Sequence, residues 1–217
     1  MTLTLPTVRR GGALLLTTGA VAAVVNANFL LDRVVGSPVD LGTGVISELS
    51  VHGLPGWWLF RLGDGSTGVL GALLGFAAWR SGRRVTGVAS VVFGVGTLLS
   101  ALIPLSCAPS LGGCVGDDPT GFVHDLVSTV GTAGAIVAAA MLVHELRGRS
   151  RVLRGTALLV ALGTALPGLG QTIDAASGGS GGGIVQQVQV LAVSGWLLLE
   201  GVAAVLPRTG RRRRPRS

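Results

Sequence analysis

The sequence predicts an all-α fold: a polytopic membrane protein built as a bundle of six transmembrane helices. Three observations carry that prediction. Mean hydropathy is +0.65 and only 12% of residues are charged, too few to clothe the surface of a soluble domain. Six stretches reach the roughly 20 mostly apolar residues that crossing about 30 Å of hydrocarbon demands. Fifteen of the 17 basic residues, all arginine, fall on one side of this six-segment pattern, and nearly every acid falls on the other.

The first span, Gly11 to Leu31, follows Arg9 and Arg10. An arginine pair before an apolar run that ends Val25-Asn26-Ala27 also has the form of a cleaved or twin-arginine signal peptide. The run continues past Ala27 to Leu31 and five spans follow, so a retained helix is expected. The second span, Trp57 to Trp79, is interrupted by Arg61 and Asp64. Without its first turn the remainder from Gly65 is too short to cross, so the polar pair must lie inside the span. Arg80, Arg83 and Arg84 separate it from the third span, Val85 to Leu105. The fourth, Thr120 to Val143, is introduced by Asp117-Asp118-Pro119, with Asp118 at the capping position and Pro119 at the first helical position. Arg147, Arg149, Arg151 and Arg154 lead into the fifth, Leu153 to Ile173. The sixth, Ile184 to Leu206, precedes an arginine-rich tail, residues 207–217.

All four arginine groups lie on one side, which places the N-terminus (residues 1–10) and the tail in the cytoplasm. The tail reads either as a lipid-headgroup patch or as a disordered topology anchor. Only Arg33 and Arg61 belong to the outer half. The net charge of +7 therefore reflects topology, and no basic domain is present to bind nucleic acid. The absence of lysine, with Ala, Val, Gly, Leu and Arg dominant, has the compositional bias of a high-GC bacterium, hence a bacterial plasma membrane.

The outer half carries the unusual residues. Cys107 and Cys114 share the loop between spans three and four, on the side where disulfides persist, and the two glycines between them let the chain fold back into bonding geometry. A metal-thiolate pair would need a second ligand pair, which is missing. Five of the six spans bring polar groups to this half. Asn26, Asn28 and Asp32 close span one, Arg61 and Asp64 open span two at i, i+3, and His124 and Asp125 lie in the second turn of span four with Ser128 on the same face. Gln171 and Asp174 close span five, and Gln186, Gln187 and Gln189 open span six. Ionisable groups in hydrocarbon cost several kcal/mol unless they face protein or water. They are therefore expected to point inward, lining an outward-facing polar cavity with Asp32, Arg61, Asp64, His124, Asp125, Gln171 and Asp174. The plainer reading is that side chains at helix ends snorkel to the headgroups, and that Arg61 and Asp64 form a structural ion pair. The inner half reads as almost wholly aliphatic, with Glu145 and Glu200 as partners for the cytoplasmic arginines.

The outer loop from Arg33 to Pro55 is long enough to form a lid. It contains Val45-Ile-Ser-Glu-Leu-Ser50, Gly53-Leu-Pro55 and then Leu59-Phe60-Arg61. With Pro104-Leu-Ser-Cys-Ala-Pro109 and Gly121-Phe-Val-His-Asp125, these motifs resemble those of a bacterial membrane family, the domain of unknown function 998. The resemblance covers most of the chain from span one to span six. It implies six or seven membrane helices and a shared outer-face site at Ser47, Glu48, His124 and Asp125, and it implies no activity.

Three functional classes remain. The favoured one is a non-enzymatic membrane protein whose outer cavity binds or passes a small molecule or lipid headgroup, without a cofactor. The second is a metal-dependent lipid hydrolase in which His124 and Asp125 are the catalytic candidates. There His52, His124 and a carboxylate from Asp64, Asp125 or Glu48 would hold zinc. The third is a subunit that packs on another membrane protein through glycine-rich faces. No nucleophile elbow, metalloprotease helix or phosphate loop is present, and neither inverted repeats nor an inner polar pathway suggests a transporter.

Overall fold

Residues 10–112, 114, 118–176 and 182–206 are described in a computed structural model of the chain. Expectations for residues 1–9, for Asp117 and for the tail 207–217 lie outside the described residues. The elements are α1 (Arg10–Asn26), a 3-10 turn at Asn28–Leu31, short α2 (Asp32–Val35), a 3-10 turn at Ile46–Ser50, α3 (Trp57–Arg80), α4 (Arg84–Leu102), a 3-10 turn at Pro109–Leu111, α5 (Pro119–Glu145), α6 (Arg151–Ala176) and α7 (Gly183–Val205). No strand occurs among the described residues.

Four helices, α4 to α7, are each long and apolar enough to cross a membrane, and the bent pair Gly11–Asn26 and Asn28–Val35 makes a fifth if it acts as one span. The chain is thus a multi-pass membrane protein by length and composition. Helix α3 is 24 residues long, about 36 Å, yet it falls short in apolarity because it carries Arg61, Asp64 and a series of glycines.

Two boundaries differ from expectation, each for a local reason. The first span is not one helix to Leu31. It breaks after Asn26 and turns by 48°, because Asn26 donates to Val190 O and Ser194 Oγ on α7 while Asn28 donates to Phe60 O on α3. Those side chains anchor the chain to two different neighbours, and a straight helix cannot satisfy both. Helix α4 ends at Leu102 rather than Leu105, because Ile103 precedes Pro104 and is pushed out of the helical region to φ −117°, ψ 72°.

The long helices close into a ring. Helix α1 packs on α3 and α7, and α3–α4, α4–α5, α5–α6 and α6–α7 complete the circuit. Without a hydrophobic driving force between helices in lipid, close backbone approach supplies the packing. Here glycine supplies the approach. A Cβ on Gly94 of α4 would lie 2.4 Å from Ala72 N, one on Gly68 of α3 2.6 Å from Leu98 N, and one on Gly96 2.6 Å from Gly131 Cα of α5. Gly19 of α1 meets Leu197 O of α7 at 2.6 Å in the same sense. These glycines are therefore spent inside the ring, which removes them from any stripe offered to another membrane protein. Gly94→Val is expected to wedge α3 from α4 and lower thermal stability by about 1–3 kcal/mol or more, whereas Gly11→Val, where nothing lies within 4 Å, should change it little. Unfolding of both variants in one detergent checks the difference.

The ring's interior is filled at mid-depth by Trp196 of α7, fully buried, with Phe93 of α4 edge-on at 5.1 Å and 87°. Small residues of α5, Ala135, Ala138 and Ala139, complete this layer. A second apolar cluster, Phe29, Val39, Leu41, Leu49 and Phe60, sits under the loop between α2 and α3.

The half of the ring beyond Trp196, toward the α3–α4 turn, is not the aliphatic plug expected. Arg83 reaches in from that turn, forming two bonds to Glu200 of α7 at 2.7 and 3.0 Å and one to Glu145 of α5 at 2.5 Å. Thr86 also donates to Glu145. Glu200 is only 2% exposed. Thr86 and Ser90 are fully buried in the same half. The pattern was hidden because serine and threonine can return their hydroxyl to their own helix, as Ser90 does to Thr86 O.

Candidate functional site

At the opposite end of the ring the loop between α2 and α3 lies across the mouth. Three contacts seat it. Ile46 N donates to Gln186 Oε1 of α7, and Gln187 Nε2 donates to Leu41 O. Gly183 at the start of α7 allows close approach, since a Cβ there would lie 2.3 Å from Leu41 O. The third contact is Glu48, 2% exposed. Its Oε1 accepts from Val45 N at 3.1 Å, closing its own turn, and its Oε2 accepts from Ser110 N at 3.1 Å and from the Ser110 hydroxyl. One carboxylate thus ties the lid to the loop that follows α4. That second loop is stapled by the Cys107–Cys114 disulfide, with Cα atoms 5.7 Å apart. Asp118 stands at the N-cap of α5 ahead of Pro119, and its carboxylate takes the Ser106 hydroxyl at 2.6 Å while facing the first-turn backbone at Gly121. That hydrogen bond holds the exposed Asp118 carboxyl below its ordinary range.

Beneath the lid the helices border a partly open space of about 130 Å³. Ile46 and Ser47 form its roof. Asp64 of α3 and Asn26 of α1 face it, together with Thr97 and Ser100 of α4 and Gln186 and Gln189 of α7. Helix α5 contributes His124, Ser128 and Thr132, spaced i, i+4, i+8 on one face. Phe93, Ala135, Val190 and Val193 give it an apolar floor.

Two cation-capable side chains near this space are occupied by the end of α4, whose last carbonyls have no helical partner. The buried His124 ring places Nδ1 2.8 Å from Ile103 O and 3.2 Å from Ser100 O. Both partners are acceptors, so Nδ1 carries a proton. Arg61 Nε donates to Ala101 O at 3.1 Å, and its guanidinium lies over Trp57 at 5.3 Å. Arg61 therefore does not form the expected ion pair with Asp64. Asp64 instead has the Asn28 side chain beside it.

The remaining candidates are dispersed. Asp125 is exposed on the outer surface of α5, since consecutive helical residues point about 100° apart and His124 takes the inward direction. His52 is exposed and packs on Trp57 at 4.6 Å, away from the space. Asp32 is half-exposed on α2. Gln171 acts indirectly, donating to Gln189 Oε1 at 2.6 Å. Asp174 lies in the last turn of α6, with its side chain outside the described residues. Among the described residues no three of His, Cys, Asp and Glu come close enough to hold a metal ion. His52, His124 and Asp125 do not fit a zinc centre.

Asn26, Thr97, Ser100, Thr132, Gln186 and Gln189 line the space although only the polar ends of their helices had marked them, or nothing had. Thr97 and Ser100 are spaced i, i+3 with Phe93 one turn further, a one-face pattern legible once α4 is known to pack inward.

No curated protein and no solved structure matches the chain. Residues 18–203, which include the lid latch at Glu48, the disulfide loop and the α4 cap at His124, match the family described as Protein of unknown function (DUF998), and the chain belongs to that family.

Proposed function

We propose that the protein spans a bacterial plasma membrane six times, with both termini cytoplasmic, and binds or passes a small molecule or lipid headgroup through a polar cavity facing outward. Helix α3 is the sixth span in this reading. Its Arg61 and Asp64 are tolerated because one is tied to α4 and the other faces the cavity. The arginines of the α3–α4 and α5–α6 turns support this placement of the cytoplasmic side. The disulfide loop and the lid then lie outside, where a disulfide persists.

The observation that carries the reading is the partly open space beneath the lid, which sets hydroxyls, amides and a carboxyl above an apolar floor at membrane depth. Polar groups this deep are costly, and a bound solute or ordered water offsets that cost. No observation favours the metal-dependent hydrolase.

The test is thermal unfolding of the purified chain against a panel of small polar molecules and soluble headgroup analogues, with and without a chelator. A member of the panel is expected to raise Tm progressively with concentration, independently of chelator. Ser128→Leu, which fills the space from α5, should abolish the effect. A cooperative unfolding transition that no member shifts, or a shift that survives Ser128→Leu, contradicts the reading.

A further inference from the structure

The hydrogen-bond polarity of the cavity wall selects the ligand's charge. Ser100 spends its hydroxyl proton on Thr97 O at 2.9 Å, so its oxygen presents lone pairs inward. His124 spends its Nδ1 proton on two carbonyls, so that donor is not offered to the space. Asn26 spends its amide hydrogens on Val190 O and Ser194 Oγ, which leaves its carbonyl oxygen. Asp64 adds the one carboxyl among the lining residues, and no arginine lines the space. Arg61, one turn away on α3, is held by Ala101 O and Trp57. On the α7 wall Gln186 has its oxygen occupied by Ile46 N, so its amide nitrogen remains a donor.

Gln189 of the same wall likewise has its oxygen occupied, by Gln171 Nε2, so amide donors lie on the α7 side while acceptors surround the one carboxyl, an arrangement that complements an ammonium carrying an oxygen nearby. We propose that the cavity takes a small primary ammonium, with Asp64 as counter-ion, Ser100 Oγ and the Asn26 side-chain oxygen accepting its other N–H bonds, and Gln186 Nε2 donating to an oxygen a few bonds away. Ethanolamine is the simplest molecule of that class, either free or as the headgroup of an aminolipid. The space of about 130 Å³ admits a molecule of that size. The proposal rests on reading the cavity as a ligand site, and it adds the ligand's charge.

The experiment is calorimetric titration of the full chain in a non-ionic detergent with ethanolamine, with ethylene glycol (similar size, neutral) and with tetramethylammonium (charged, no N–H). Ethanolamine is expected to bind, and the other two to bind at least ~10-fold more weakly, since charge-assisted hydrogen bonds contribute most of the affinity. Asp64→Asn should weaken ethanolamine by roughly 10- to 100-fold. The three-ligand comparison on the native chain needs no variant, so it decides even where Asp64→Asn fails to fold. Ethylene glycol binding as tightly as ethanolamine, and lost in Ser128→Leu, overturns the ammonium assignment and leaves the cavity reading standing. Ethanolamine binding unchanged in folded Asp64→Asn also overturns it. Failure of all three ligands overturns it too, and the panel of polar molecules then decides the cavity reading separately. Repeating the titration in phosphatidylethanolamine and in phosphatidylglycerol nanodiscs separates the sources. Suppression in the former identifies the lipid headgroup as occupant, and equal binding identifies a free amine.

Discussion

Arg83→Ala is expected to destabilise the protein by about 3–5 kcal/mol, the largest single effect among its polar residues. The arginine is the shared partner of Glu145 and Glu200, which come from α5 and α7. Removing it strands two carboxylates at the closed end of the ring, one of them 2% exposed. The penalty is that of uncompensated buried charge, so it should be relieved by neutralising the acids as well. Arg83→Met with Glu145→Gln and Glu200→Gln is expected to recover most of the lost stability. Thermal unfolding in one detergent measures both. A loss below about 1 kcal/mol in the single variant would place the cluster in the class of solvated surface pairs, and the ring would need another closure at that end.

Glu48→Ala is the second large effect, expected at about 2–4 kcal/mol, because it leaves backbone donors at Val45 and Ser110 without their acceptor. Its consequence should be local. Hydrogen exchange is expected to accelerate over residues 45–51 and 108–112, the two segments the carboxylate joins, while the long helices keep their protection. Uniform acceleration through α3 to α7 would make Glu48 a determinant of the whole bundle rather than a latch on its lid.

Much of this architecture is legible in the sequence because lipid imposes simple rules. Apolar length and arginine placement locate the helices, and the structure begins α3, α5 and α7 within a residue of the positions read from hydropathy. The bend after Asn26 is not legible, since it depends on which neighbours Asn26 and Asn28 reach across the ring. The site is legible only in part, for the same reason. Polar residues at one depth are visible, but helix rotation separates adjacent ones, sending His124 inward and Asp125 outward. Pairing is less legible still. The i, i+3 spacing of Arg61 and Asp64 permits an ion pair, yet the unsatisfied carbonyls at the end of α4 take Arg61 instead. On the other side of the ring the sequence does pair Glu145 and Glu200 with the cytoplasmic arginines, and both bond to Arg83; which arginine they take, 62 and 117 residues away, is not visible in the periodicity.

The central claim, that the disulfide end is extracellular and opens onto an aqueous cavity, is tested most directly by thiol labelling of Ser128→Cys in intact cells. The native cysteines are bonded to each other, so the introduced thiol is the reactive one. A small membrane-impermeant methanethiosulfonate added outside is expected to label it, and the same reagent confined to the cytoplasmic side of inverted vesicles is not. Labelling from the cytoplasmic side alone would reverse the orientation. No labelling from either side in a folded protein would mean that the space beneath the lid is sealed from water and is not a site.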